Sequence, residues 1–152
     1  MKALFWNIRG LRGIGRRKQL VELCKQHSFH FICLQETIKD SYKARELDYL
    51  SRGMDMFWSW VASNGHSGDL LMGVDKDVVE VTQERKGSFQ HFLDLRKVKD
   101  GFEWRLVNVY GPVQTERKAE FLSELSDMIL HSHFPCLMGG DFNMIKRVED
   151  KS

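Results

Sequence analysis

The sequence predicts a mixed α/β fold, with helices on one side of a sheet whose strands are partly parallel and partly antiparallel. Three observations predict it. An apolar run at Ala3 to Trp6, a helical period reaching His27 and a second apolar run at Phe29 to Leu34 give strand, helix, strand, the pattern of a parallel pair with a right-handed crossover. Five short runs rich in β-branched and aromatic residues follow, separated by turn residues, as in consecutive, largely antiparallel strands. A second helical period between Pro112 and His131 then leads into a last buried strand.

Taken in order, Ala3 to Trp6 reads as a buried strand and Gly10 to Gly15 as a glycine- and arginine-rich loop. The loop opens a helix from about Arg16 to His27, with Leu20, Val21, Leu23 and Cys24 turned inward. Phe29 to Leu34 is interrupted only by His30 and suits a strand covered on both faces. The middle runs are Met56 to Ala62, Leu70 to Val74, Val78 to Thr82, Phe89 to Leu95 and Trp104 to Val109. Phe121, Leu122, Leu125, Met128 and Ile129 share one helical face, with Thr115 a candidate N-cap. Pro135 to Met138 is the final strand, ending in Gly139-Gly140-Asp141. No internal repeat or low-complexity segment interrupts the chain.

At 152 residues the chain suffices for one domain with a real core, and a single unit over 1–152 is expected. With 42% hydrophobic and 29% charged residues it is far from the composition of a disordered chain. A net charge of +2 permits a polyanionic partner without demanding one. Cys24, Cys33 and Cys136 are odd in number, lack C-x-x-C spacing and sit in apolar runs, so a reduced, intracellular protein is expected. Asn7 and Arg9 cut off any signal-peptide core, and no apolar run can span a bilayer, so no membrane partner is expected.

Four polar blocks stand beside these apolar runs: Trp6-Asn7-Ile8-Arg9-Gly10, Leu34-Gln35-Glu36-Thr37, Asn108-Val109-Tyr110-Gly111-Pro112 and Gly140-Asp141-Phe142-Asn143. Asn7 and Glu36 each follow a strand of the parallel pair and can lie side by side at one end of the sheet. An amide oxygen and a carboxylate, completed by water and substrate phosphate, are how Mg²⁺ is usually held. Taken singly, Asn7 reads as readily as a turn cap and Glu36 as a solvated carboxylate. Asp141 and Asn143 flank Phe142, so an extended backbone aims a carboxylate and an amide the same way, toward a water and a phosphate, while Phe142 enters the core. A strand-to-turn exit with local Asx bonding is the competing account. Tyr110 precedes the strand-breaking Gly111-Pro112 and is placed to donate to a phosphate, or else is half core.

Arg9, Arg12, Arg16, Arg17 and Lys18 cluster after Asn7 and can track a nucleic-acid backbone or simply be solvated. Of the histidines, only His66 is expected near the site. His131 and His133 fall at the opposite end of the last strand, and His27, His30 and His91 read as surface or strand residues.

In this order the four blocks resemble the endonuclease/exonuclease/phosphatase superfamily, the deoxyribonuclease I-like fold, and most of all the endonuclease domain of non-LTR (LINE-type) retrotransposons. Ser67-Gly68-Asp69-Leu70-Leu71 adds to the likeness, although Asp69 stands where that lineage carries a second glycine and brings a Cβ and a negative charge. The resemblance covers Ala3 to about Asn143 and implies the N-terminal portion of a four-layer α/β sandwich. It implies Asn7 and Glu36 at an Mg²⁺ (or Mn²⁺) site, Tyr110 on phosphate, Asp141 activating water and Asn143 as its partner. DNA is the implied substrate, phosphodiester hydrolysis the reaction, and the nucleus a compatible location. The family's late Ser-Arg-x-Asp block and terminal Asp-His pair have no counterpart after Asn143, so impaired nicking is expected. A degenerate domain that at most binds nucleic acid weakly is the alternative, and a phosphatase of the same superfamily shares the metal logic.

Overall fold

The computed structural model describes residues 1–62 and 69–144. His66, Ser67 and Gly68, singled out in the sequence, lie outside the described residues. The elements are β1 (Ala3–Asn7), α1 (Ile14–His27), β2 (Phe31–Gln35), α2 (Ala44–Ser51), β3 (Met56–Val61), β4 (Leu70–Asp75), β5 (Val79–Lys86), β6 (Gln90–Lys97), β7 (Glu103–Tyr110), α3 (Lys118–Leu130) and β8 (Cys136–Asp141).

The strands form two sheets, as the four-layer α/β sandwich of the resemblance implied, in the orders β1-β2-β4-β3 and β5-β6-β7-β8. In each sheet one outer pair is parallel, β1 with β2 and β7 with β8, and the other pairs are antiparallel. Alternation along the strands explains the stacking. Phe31 and Cys33 of β2 meet Leu93, Leu95, Trp104 and Leu106 in a core between the sheets. Ile32 and Leu34 of the same strand turn the other way, onto Leu20 and Val21 of α1 and Leu50 of α2. Val107 and Val109 of β7 pack outward on Phe121, Leu125 and Met128 of α3. The layers are therefore helix, sheet, sheet, helix, with helices on one face of each sheet as expected.

Two local expectations are corrected. Thr115 does not cap the long helix: Thr115–Arg117 form a 3-10 turn, α3 starts at Lys118, and no side chain caps it. Glu124 within α3 instead accepts from the backbone N–H groups of Ser88 and Phe89, tying the helix to the β5–β6 turn. Helix α2 was not foreseen, because its eight residues carry only Leu47 and Leu50 toward the core, too short a period to stand out. Among the described residues the three cysteines are unpaired, and no helix is long and apolar enough to cross a membrane.

Candidate active site

Both parallel pairs end at the same end of the sandwich, which brings the four polar blocks together. Register pairs Asn7 with Gln35 in one sheet and Tyr110 with Asp141 in the other. Asn7 and Glu36 do end neighbouring strands, yet their side chains bond across the sandwich rather than to each other. Asn7 Nδ2 donates to Asp141 Oδ2 at 2.9 Å, and the Tyr110 hydroxyl donates to Glu36 Oε1. Asp141 Oδ1 accepts from the backbone N–H of Asn143 at 3.0 Å, so both carboxylate oxygens are fixed.

Asn143 departs from the expected geometry. Its φ of 50° lies in the left-handed region, which Asn tolerates, so the segment after β8 is a turn and not an extended strand. Its Nδ2 donates to the Gly111 carbonyl at 2.6 Å, and the amide remains near the Tyr110 hydroxyl. Phe142 does enter the α3-side core, 6.3 Å from Phe121. Glycine is required just before Asp141: Gly140 has φ of 133°, and a Cβ there would stand 2.1 Å from the Val109 carbonyl oxygen. Glu36 itself has φ of 54°, and its N–H donates to the Asp69 carbonyl at 2.9 Å. Asp69, the departure from the glycine pattern, is buried and forms contacts of its own.

The oxygen set fits a hard divalent cation. Among the described residues Asn7 Oδ1 is buried without a hydrogen-bond partner, and Glu36 Oε2 takes no hydrogen bond. A buried acceptor without a donor is costly unless something satisfies it, and a cation does so. Among the described residues no three His, Cys, Asp or Glu side chains converge. Tyr110 stays protonated: burial first, then its bond to Glu36 and the nearby Asp141 charge, push its pKa up. Arg9, Arg12 and Arg16 are exposed on the loop after β1 and the first turn of α1, and Arg16 also donates to Gln19 at 3.2 Å.

Below the rim lies a polar layer that sequence reasoning passed over. Asn108 is fully buried; its Oδ1 accepts from Gln35 Nε2 at 2.7 Å, and its Nδ2 donates to the carbonyls of Leu34 and Leu71 at 3.0 and 3.3 Å. Ser59 Oγ lies 3.1 Å from Nε2 of the fully buried His91. Gln35 directly precedes Glu36, and Asn108 stands two before Tyr110, so this layer braces the strands that carry both. The available signal was a polar residue at an inward position of an otherwise apolar strand.

A model of the endonuclease/exonuclease/phosphatase family matches residues 4–149. The chain belongs to this family. It is 32% identical over 69 residues to an exodeoxyribonuclease of Bacillus subtilis, covering 45% of this chain and 26% of that protein. Among solved structures it is similar to a mannosyl-6-phosphatase of Bacteroides thetaiotaomicron, with TM-score 0.68 at 14% identity over 93% of this chain and 64% of that one. It is also similar to D. rerio TDP2 complexed with a single-strand DNA product, with TM-score 0.64 at 14% identity over 95% of this chain and 61% of that one. The chain thus spans less than two-thirds of each relative, and the solved neighbours establish the mixed α/β fold.

Proposed function

We propose that this chain carries the phosphate-cleaving end of a Mg²⁺-dependent DNA-nicking phosphodiesterase of the retrotransposon endonuclease type. The observation that carries it is the pair of cross-sheet contacts, Asn7 with Asp141 and Tyr110 with Glu36, around the buried, unpartnered Asn7 Oδ1. DNA as substrate is supported by the similarity to an exodeoxyribonuclease and to a DNA-bound neighbour.

Asn7 Oδ1 and Glu36 would hold the cation, which when bound polarises a phosphoryl oxygen and neutralises developing charge. Asp141, its orientation fixed by Asn7 and the Asn143 N–H, accepts the proton of the attacking water. Tyr110, kept protonated, donates to a phosphate oxygen, and Asn143 holds the Gly111 turn beside it. Among the described residues no histidine stands beside Asp141; His91 is buried below and tied to Ser59.

Nicking of supercoiled plasmid, measured with Mg²⁺, with chelator and with Glu36→Ala, tests the reading. Metal-dependent nicking abolished in the variant supports it. No nicking by protein shown to be folded sinks it and leaves, at most, a nucleic-acid binder.

A further inference from the structure

The loops that carry Asn7 and Glu36 continue into a second concavity that the cleavage chemistry does not use. Gly10 N–H donates to the Glu36 carbonyl at 2.7 Å and Leu11 N–H to that of Thr37 at 2.8 Å, so the loops after β1 and β2 run together. Beyond this zip, Arg17 of α1, Lys39 and Tyr42 of the loop, and Arg45, Glu46 and Tyr49 of α2 line a pocket of about 240 Å³. Lys39 is three residues past Glu36, at most ~10 Å of chain.

Its chemistry is cationic and aromatic. The Lys39 ammonium lies 2.9 Å from Glu46, which leaves Arg17 and Arg45 as the cations without a carboxylate partner among the described residues. Tyr42 is set edge-on to Trp60 at 5.2 Å, and burial, reinforced by Asp69 and Glu46 and offset in part by Thr37, pushes its phenol up to about 12, so it adds no negative charge. Tyr49, 47% exposed, offers a free ring at the rim. In the chain between Glu36 and Lys39 comes Ile38, 55% exposed with φ of 54°. A β-branched residue pays to sit in the left-handed region, and such strain collects at functional sites. The volume is below the ~300–1,000 Å³ of pockets that enclose whole ligands, so this one takes a part of a longer molecule.

We propose that the nucleic-acid strand cleaved beside Asp141 runs past Ile38 into this pocket, where Arg17 and Arg45 hold the phosphate of a flanking nucleotide and Tyr49 stacks on its base. This rests on the nuclease reading and names how the substrate is gripped beyond the cleaved bond.

The test is fluorescence anisotropy of the full chain with a labelled single-stranded DNA decamer in EDTA, across a salt series, so that cleavage plays no part. Arg17→Ala/Arg45→Ala should weaken binding about tenfold or more and flatten the slope of log K against log salt by about 0.7, the value for one lost single-strand phosphate contact. Tyr49→Ala should weaken it roughly tenfold, and Arg45→Glu, a surface charge reversal, should weaken it further than Arg45→Ala. Unchanged affinity and slope in the double variant, with a circular dichroism spectrum like the parent's, would overturn the proposal. Competition by a free mononucleotide as strong as by the decamer would also overturn it, in favour of a small phosphate ester. Metal-dependent nicking alongside decamer binding that ignores the arginines removes the pocket alone. Arginine-dependent binding without nicking removes the catalytic reading alone.

Discussion

Asn108→Leu should destabilise the fold far more than its size suggests. The substitution keeps the number and branching of heavy atoms but deletes three hydrogen bonds from a residue with 0% exposure, at 2.7, 3.0 and 3.3 Å. At ~1 kcal/mol net for each, plus part of the cost of leaving Gln35 underpaired, the loss is roughly 3–4 kcal/mol. Against a total of ~5–15 kcal/mol that is a large share. For a chain of this size it corresponds to a fall in Tm of about 6–15 °C. Urea and thermal unfolding followed by far-ultraviolet circular dichroism give both quantities. Gln35→Met/Asn108→Leu should recover part of the loss, because neither side chain is then left with an unpaired polar group, although the Leu34 and Leu71 carbonyls still lose their Asn108 donor. An Asn108→Leu variant within ~0.5 kcal/mol of the parent, or a strictly additive double variant, would refute the idea that this pair pins the sheets together.

Two further outcomes are expected. Burial, with Lys86 and against the opposing pull of Glu84, lowers the His91 pKa to about 4. Below pH ~6.5 the unfolded chain takes up a proton that the folded one refuses, so stability should fall as pH drops from ~6.5 toward 4, by roughly 3 kcal/mol at most, then level off. Urea midpoints across that range should slope in the parent and flatten in His91→Gln; parallel slopes would remove His91 as the cause. Arg105 donates to both oxygens of buried Asp94 at 2.7 and 3.0 Å and to the Met128 carbonyl at 3.1 Å, with its guanidinium 3.7 Å from the Phe92 ring centre. Arg105→Met should therefore cost ~3–5 kcal/mol by stranding the carboxylate, and Asp94→Leu/Arg105→Met should restore most of it. Denaturant midpoints that do not recover in the double variant would contradict that account.

Much of this protein was legible in the sequence because its signals are local. Apolar runs of strand length, a helical period on one face and polar blocks at strand ends are set by residues within a few positions of each other, and among the described residues they marked all the strands and two of the three α-helices. They also picked out Asn7, Glu36, Tyr110, Asp141 and Asn143, which the fold gathers at one end of the sandwich. What tertiary structure alone decided is pairing. Strand patterns carry no record of which sheet a strand joins: the resemblance implied two sheets, but which strands pair in each emerged only from packing. Nor could sequence tell that Asn7 would face Asp141 across the sandwich instead of Glu36 beside it, or that Asn143 would turn left-handed and bond Gly111. The buried Gln35–Asn108 and Ser59–His91 contacts stayed hidden for the same reason: a polar residue in an apolar strand declares its cost locally, while the partner that offsets it lies 73 or 32 residues away.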